Sequence, residues 1–240
     1  MAEPGTWTEE GIYQRMVQTI RDHQLQPGTK LVEDRLASAF GVSRTRIRPV
    51  LARLAGEQVV TLTPNRGATV ARPTEQESRE VFEVRRLIEP TLVAAFMERA
   101  TTAELLALDR CIAKEEVARA QGDQLLAIRL AGEFHLHIAA VAQHQTLGRI
   151  LGELVSRTSL ILMTYGQHSR ALSPQPGGCG CRDHQALLDA MRLGERRLAM
   201  GLMQEHLTEV EAQLRFTLPA GESPDFMALF QTPYASAAAN

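Results

Sequence analysis

Three histidines in the second half of the chain could do chemistry together. His135 stands in Gly132-Glu133-Phe134-His135, His184 in Arg182-Asp183-His184-Gln185-Ala186-Leu187-Leu188, and His206 in Met203-Gln204-Glu205-His206-Leu207. Each falls on a predicted helix beside residues of core-facing spacing. Three neutral imidazoles that converge in a helical interior can hold a divalent metal and leave positions open for water or an effector oxygen. The residues alone favour a plainer reading, in which these are core histidines satisfied by their neighbours. A second chemistry is written near the start of the chain. Ser43, Arg44, Thr45, Arg46 and Arg48 cluster at the beginning of one predicted helix. There, free backbone amides favour phosphate and arginine forks can pair with guanine edges.

The elements that must position the arginines are legible from Thr8 onward. Ile12, Met16 and Ile20 repeat every fourth residue with Tyr13 and Val17 beside them, predicting a helix over Thr8 to His23. Gln26-Pro27-Gly28-Thr29 is a turn. Leu36, Ala37 and Phe40 share a face of a second helix, and Gly41 is placed to end it in the left-handed conformation. Ser43 is the expected N-cap of a third helix, Arg44 to Ala55, whose buried stripe is Ile47, Val50, Leu51 and Leu54. Val59 to Leu62 and Ala68 to Ala71 read as a hairpin turned at Asn65-Arg66-Gly67, a wing with Arg66 at its tip. Arg35 joins the expected DNA-contacting set with Ser43, Arg44, Thr45, Arg46, Arg48, Arg66 and Gly67.

Charge supports that assignment. Between Gly28 and Arg72 eight cations face three anions, a net of +5 in a 240-residue chain whose formal charge is −2, so the remainder carries −7. A basic head on an acidic body suits a polyanion partner. The three cysteines, Cys111, Cys179 and Cys181, give no disulfide framework. No uninterrupted apolar run has the length of a membrane span, and Met1 to Trp7 has neither the basic nor the apolar region of a secretory signal. A cytoplasmic protein without a membrane partner is the expectation.

The region from about Ile12 to Pro73 resembles the GntR family of winged helix-turn-helix regulators. The residues that carry the likeness are Leu25-Gln26-Pro27-Gly28-Thr29-Lys30-Leu31, Leu36-Ala37, Gly41-Val42-Ser43-Arg44-Thr45, Ile47-Arg48, Leu51, Leu54 and Asn65-Arg66-Gly67. The resemblance implies DNA contact at Arg44, Thr45, Arg48 and Gly67. It also marks a departure, because Pro49 stands where the family usually has Glu. A proline there removes an amide and crowds the Thr45 carbonyl, so a kink or a looser first turn is expected.

The remainder reads as helices. Thr74 should cap one that runs to Arg99, in a capping box with Glu77, and Pro90 predicts a kink in it. Thr102 should cap the next; others are expected over 124–143, 146–166, 182–193 and 195–218. Ser169 to Gly180 reads as a loop. The fold class is therefore mainly α: a winged helix-turn-helix (residues 1–73), an antiparallel helical bundle that binds effector and dimerises (74–218) and a C-terminal tail (219–240).

Glu75 to about Phe216 resembles the FCD ligand-binding domain of the FadR-type branch, through Val84-Arg85-Arg86-Leu87-Ile88-Glu89, Phe134-His135, Asp183-His184-Gln185-Ala186-Leu187-Leu188-Asp189-Ala190 and Glu205-His206-Leu207. The resemblance implies a pocket metal such as zinc, nickel or manganese on His135, His184 and His206, and an organic acid as effector. It places an Asp where this chain has Ala131, leaving a three-His set. His144 stands where Asn is usual, and a polar helix end is its plainer role. Arg85, Arg129 and Tyr165 are the candidate effector contacts, with ion pairing or core packing as their alternatives. The implied protein is a homodimeric regulator, more often a repressor, on a near-palindromic operator. A metalloenzyme is the rival class. Against it, none of the three histidines lies in a Glu-x-x-His pair, and the chain has no Gly-x-Ser-x-Gly and no phosphate loop. An architectural DNA binder with a degenerate sensor is a third possibility.

Overall fold

The computed structural model describes residues 7–64, 66–166 and 179–216, the side chains of the last stretch from Cys181. These residues form two compact units that divide between Arg72 and Pro73.

In the first unit, Thr8 caps α1 (Glu9–Arg21) by accepting from the Gly11 amide at 3.0 Å. Then come β1 (Lys30–Leu31), α2 (Glu33–Phe40), α3 (Arg44–Gly56), β2 (Val60–Thr63) and β3 (Gly67–Val70). The sheet is antiparallel in the order β1-β3-β2, with Thr69 of β3 facing Lys30 on one side and Thr61 on the other. Strand β1 went unread in the sequence because two residues are too few to show alternation. Ile12, Met16, Leu36, Ile47 and Leu54 are fully buried, so the expected stripes of the three helices meet in one core. Gly41 ends α2 in the left-handed conformation, at φ 64°.

One local expectation is corrected. Ser43 occupies the N-cap position of α3, but its side chain makes no capping bond; its hydroxyl lies 2.6 Å from that of Thr45. Helix α3 runs on through Pro49 without interruption, and its first turn opens with a tight bond from the Arg46 amide to the Ser43 carbonyl at 3.0 Å.

The second unit contains α4 (Glu75–Arg99), α5 (Thr102–Ala120), α6 (Gln124–Ala142), α7 (Gln145–Tyr165), α8 (Cys179–Arg192) and α9 (Arg196–Ala212). The expected capping box forms at α4: Glu77 N–H donates to Thr74 Oγ1 at 3.2 Å, and Thr74 N–H to the Glu77 carboxylate at 2.7 Å. Helix α4 also passes through Pro90 unbroken. Thr101 rather than Thr102 caps α5. His144 caps α7, accepting from the Leu147 amide at 3.3 Å. Helix α9 ends at Ala212, short of its predicted end. Most of the expected loop, and the tail from Pro219, lie outside the described residues.

Helix α4 packs on α6, α7 and α9, α5 on α6 and α8, and α8 on α9. Phe82, Phe96, Phe134, Leu151 and Leu187 anchor the resulting core. By length and composition alone α6 would suffice to cross a membrane, although it is no uninterrupted apolar run. It carries Arg129 and Glu133, however, and turns Phe134, His135 and Ile138 into the bundle core, as expected of the buried helix of a globular unit.

Candidate functional site

In the first unit, the start of α3 presents its polar residues outward. Ser43, Arg44, Thr45, Arg46 and Arg48 are all exposed, as are Arg35 on α2 and Arg66 and Gly67 on the wing. The stripe Ile47, Val50, Leu51 and Leu54 faces inward, which leaves the opposite side of α3 free for a groove. Two of the arginines are held by acids of α2: Arg44 Nε lies 2.9 Å from Asp34 Oδ1, and Arg48 Nε 2.9 Å from Glu33 Oε2. Arg46 is engaged differently, donating from Nη1 to the Trp7 carbonyl at 2.8 Å. Trp7 in turn meets Phe40 edge-on at 5.2 Å. Asn65 lies outside the described residues.

In the second unit, α6, α8 and α9 bring His135, His184 and His206 together. All three are buried, and each offers a ring nitrogen within 4.8 Å of the others. Ring centroids are separated by 5.3 Å (His135–His184), 5.4 Å (His135–His206) and 4.6 Å (His184–His206). Phe134 stacks on His184 at 4.2 Å.

Every one of these rings has a carboxylate on its Nδ1. Glu89 of α4 lies 2.6 Å from His135, Glu115 of α5 lies 3.0 Å from His184, and Asp183 of α8 lies 3.1 Å from His206. An ionised carboxylate only accepts, so Nδ1 is the nitrogen that donates to it, and Nε2 is the one left to meet a cation. His184 Nε2 is buried and has no hydrogen-bond partner among the described residues. This is the arrangement a metal-binding imidazole needs: one nitrogen oriented from behind, the other bare. The side chains present therefore fit a divalent cation on His135, His184 and His206.

Two of the three carboxylates, Glu89 and Glu115, are paired with a buried arginine. Arg85 is buried on α4; its Nε lies 2.5 Å from Glu89, its Nη1 donates to Thr158 Oγ1 at 3.2 Å, and its Nη2 has no partner among the described residues. Burial alone would raise the Glu89 carboxyl, but the adjacent Arg85 guanidinium and the His135 ring outweigh it and hold it down at about 2. Burial pushes His135 down to about 3 against the pull of Glu89, so its ring is neutral. Burial and His184 lower His206 as well. Glu115 is fully buried and ionised: burial opposes the charge, but His184 and Arg119 hold the carboxyl at about 2. Burial, then Glu115, push the Cys181 thiol up to about 12, which makes it a poor nucleophile.

Of the residues singled out in the sequence, the three histidines and Arg85 come together. Arg129 and Tyr165 are engaged elsewhere. Arg129 Nη1 pairs with Glu133 at 3.6 Å on a partly exposed face of α6. The Tyr165 hydroxyl donates to the Pro73 carbonyl at 2.6 Å. Sequence reasoning missed Glu115, Arg119 and Thr158 altogether, and quoted Glu89 and Asp183 without a role.

An exposed basic helix beside a β-hairpin, and three clustered buried histidines in a separate helical unit, are features to be expected of a two-unit DNA-binding regulator. Residues 8–70 match the bacterial regulatory proteins of the gntR family, and residues 80–209 match the FCD domain. The Uxu operon regulator of Haemophilus influenzae is 27% identical over 234 residues, spanning 92% of this chain and 86% of its own. LutR, an HTH-type transcriptional regulator of Bacillus subtilis, is 25% identical over 214 residues, spanning 80% of this chain and 94% of its own. The solved structure of E. coli McbR/YncC superposes with a TM-score of 0.75 at 22% identity, covering 85% of this chain and 95% of that one, which supports the fold. The chain belongs to the GntR family of bacterial DNA-binding transcription regulators, in the group that carries a C-terminal FCD domain.

Proposed function

We propose that this protein is a metabolite-controlled transcriptional repressor that acts as a cytoplasmic homodimer. Residues 1–73 form the DNA-binding head and residues 74–218 the effector-binding and dimerising unit. Two heads meet the half-sites of a near-palindromic operator, and Arg44, Thr45, Arg46 and Arg48 enter the major groove. Ser43 and Arg35 flank them, with Arg66 and Gly67 on the wing. The observation that supports this head is the one-sided α3, apolar stripe inward and arginines outward.

The sensor binds a divalent metal through His135, His184 and His206, and the effector is an organic acid. A bound cation would supply a Lewis-acidic anchor for an oxygen of that acid. The chain itself supplies Arg85, whose buried Nη2 has no hydrogen-bond partner among the described residues and suits a carboxylate. Three imidazoles with no carboxylate ligand suit zinc or nickel better than manganese. The observation that carries the reading is the set of three histidines, each held from behind by a carboxylate. Effector binding shifts the dimer between arrangements that do and do not span both half-sites, which requires unequal effector affinity for the two.

The test is selection of genomic fragments by purified full-length protein, followed by anisotropy titration of a selected fragment with metal-loaded protein and a panel of hydroxy- and dicarboxylic acids. A repressor of this kind selects discrete sites and is released by at least one acid, and Arg85→Met abolishes that release. Selection of no discrete site would overturn the DNA-binding role. Release that persists unchanged in Arg85→Met would overturn the role of Arg85.

A further inference from the structure

Of the three carboxylates behind the histidines, Glu115 has the most complete enclosure. It is fully buried on α5; Oε1 takes Arg119 Nη2 at 2.5 Å and Nε at 2.9 Å, while Oε2 faces His184 Nδ1 at 3.0 Å. Arg119 is itself buried, so this ion pair sits within the bundle rather than on its surface. His184 is clamped further by Phe134, stacked at 4.2 Å. The ring is thus fixed on two sides, and the nitrogen left over is buried without a partner among the described residues.

A pairing that served only stability would not leave that nitrogen bare, because a dry interior penalises an unsatisfied polar atom. A buried ion pair is itself a weak source of stability, since well-packed apolar residues of similar volume usually do as well or better. The role left for Glu115 is its effect on His184. A carboxylate behind an imidazole fixes its tautomer, fixes its orientation and raises its basicity. The half-buried Ala131 brings no carboxylate to the histidines from α6, and the contact Glu115 makes from α5 is with the back of the His184 ring.

We propose that Glu115, itself held in place by Arg119, is the positioning residue of the metal site, acting through His184, whose ring it orients and makes more basic. This rests on the metal reading above. The tests use full-length Glu115→Leu/Arg119→Met, which removes the buried pair without stranding either charge, with Glu115→Gln as a second variant. Zinc affinity is measured by competition with a chromophoric chelator, and apo stability by thermal melting. The parent binds one zinc, while the double variant melts at the parental temperature or above and binds zinc roughly 10- to 100-fold more weakly. Glu115→Gln falls between them, because its amide oxygen still accepts from Nδ1. Parental zinc affinity in the double variant would overturn the role of Glu115 and leave the metal reading standing. A parent that binds no zinc would overturn both. If the double variant fails to fold, parental affinity in Glu115→Gln is the overturning result.

Discussion

Glu89 joins Arg85 to His135: one carboxylate oxygen lies 2.5 Å from the guanidinium Nε and the other 2.6 Å from the imidazole Nδ1, all three groups being buried. The contact links the proposed effector anchor to a proposed metal ligand through one side chain. Removing Glu89 strands a buried cation. Glu89→Leu should therefore destabilise the apo bundle by about 3–5 kcal/mol, whereas Glu89→Leu/Arg85→Met should recover most of that loss. Urea denaturation of the two variants checks it. A single variant as stable as the parent would mean that Arg85 finds another partner.

His23 gives the head a dependence on pH. It is buried, and burial pushes it down from 6.5 to about 4. A histidine with a lowered folded-state pKa favours folding above 6.5 and loses that contribution as pH falls, because the unfolded chain takes up the proton first. The loss should run from pH 6.5 to about 4 and total roughly 3 kcal/mol. His23 also has a positive φ of 58°, which Asn tolerates well. In His23→Asn, melts followed through the head should lose this slope. An unchanged slope would assign it to other groups.

The Tyr165 hydroxyl donates to the carbonyl of Pro73, the first residue of the bundle unit. Tyr165→Phe should cost about 1 kcal/mol of bundle stability and leave metal content and effector affinity unchanged. Loss of effector affinity at parental stability would restore this residue to the effector contacts expected from the sequence.

Arg44 and Arg48 are pre-positioned by Asp34 and Glu33 on an exposed surface, where such pairs contribute little stability. DNA contact must exchange these partners for bases or phosphates. Arg44→Ala and Arg48→Ala should each weaken binding to a selected site by about 1–3 kcal/mol. Asp34→Asn should instead strengthen binding to non-specific duplex and speed association. Anisotropy and stopped-flow at two salt concentrations separate these outcomes. An Asp34→Asn variant that binds more weakly would show that Asp34 orients Arg44 rather than competing for it.

The head was legible because its signals are local. Gly41 ends α2, Ile47 to Leu54 stripe α3, and the Arg66-Gly67 turn lies between two short alternating runs; each reports its own position. Ser43 failed as a capping side chain because Thr45, two residues on, lies close enough to engage its hydroxyl. The histidines were found as residue types, but their carboxylates were not. Glu89 and Glu115 each sit four residues from an arginine, a spacing that normally marks a solvated helix pair. The overlooked signal is their place in the apolar stripe: Arg85 and Glu89 fall between Phe82 and Leu92, and Glu115 and Arg119 continue Leu108 and Ile112. A charged pair on the buried stripe of a helix predicts a buried polar partner on another helix, here His135 and His184. Which histidine each carboxylate meets depends on helix packing and cannot be read from either segment alone.

Metal stoichiometry tests the sensor most directly. Full-length protein, loaded with zinc, nickel or manganese and freed of excess, should retain one ion per chain, with zinc or nickel preferred. His135→Ala, His184→Ala and His206→Ala should each lose it. A parent that retains no ion after loading, or a set of three variants that retain it fully, would contradict the account, and the cluster would then be a site where the histidines meet an organic acid directly.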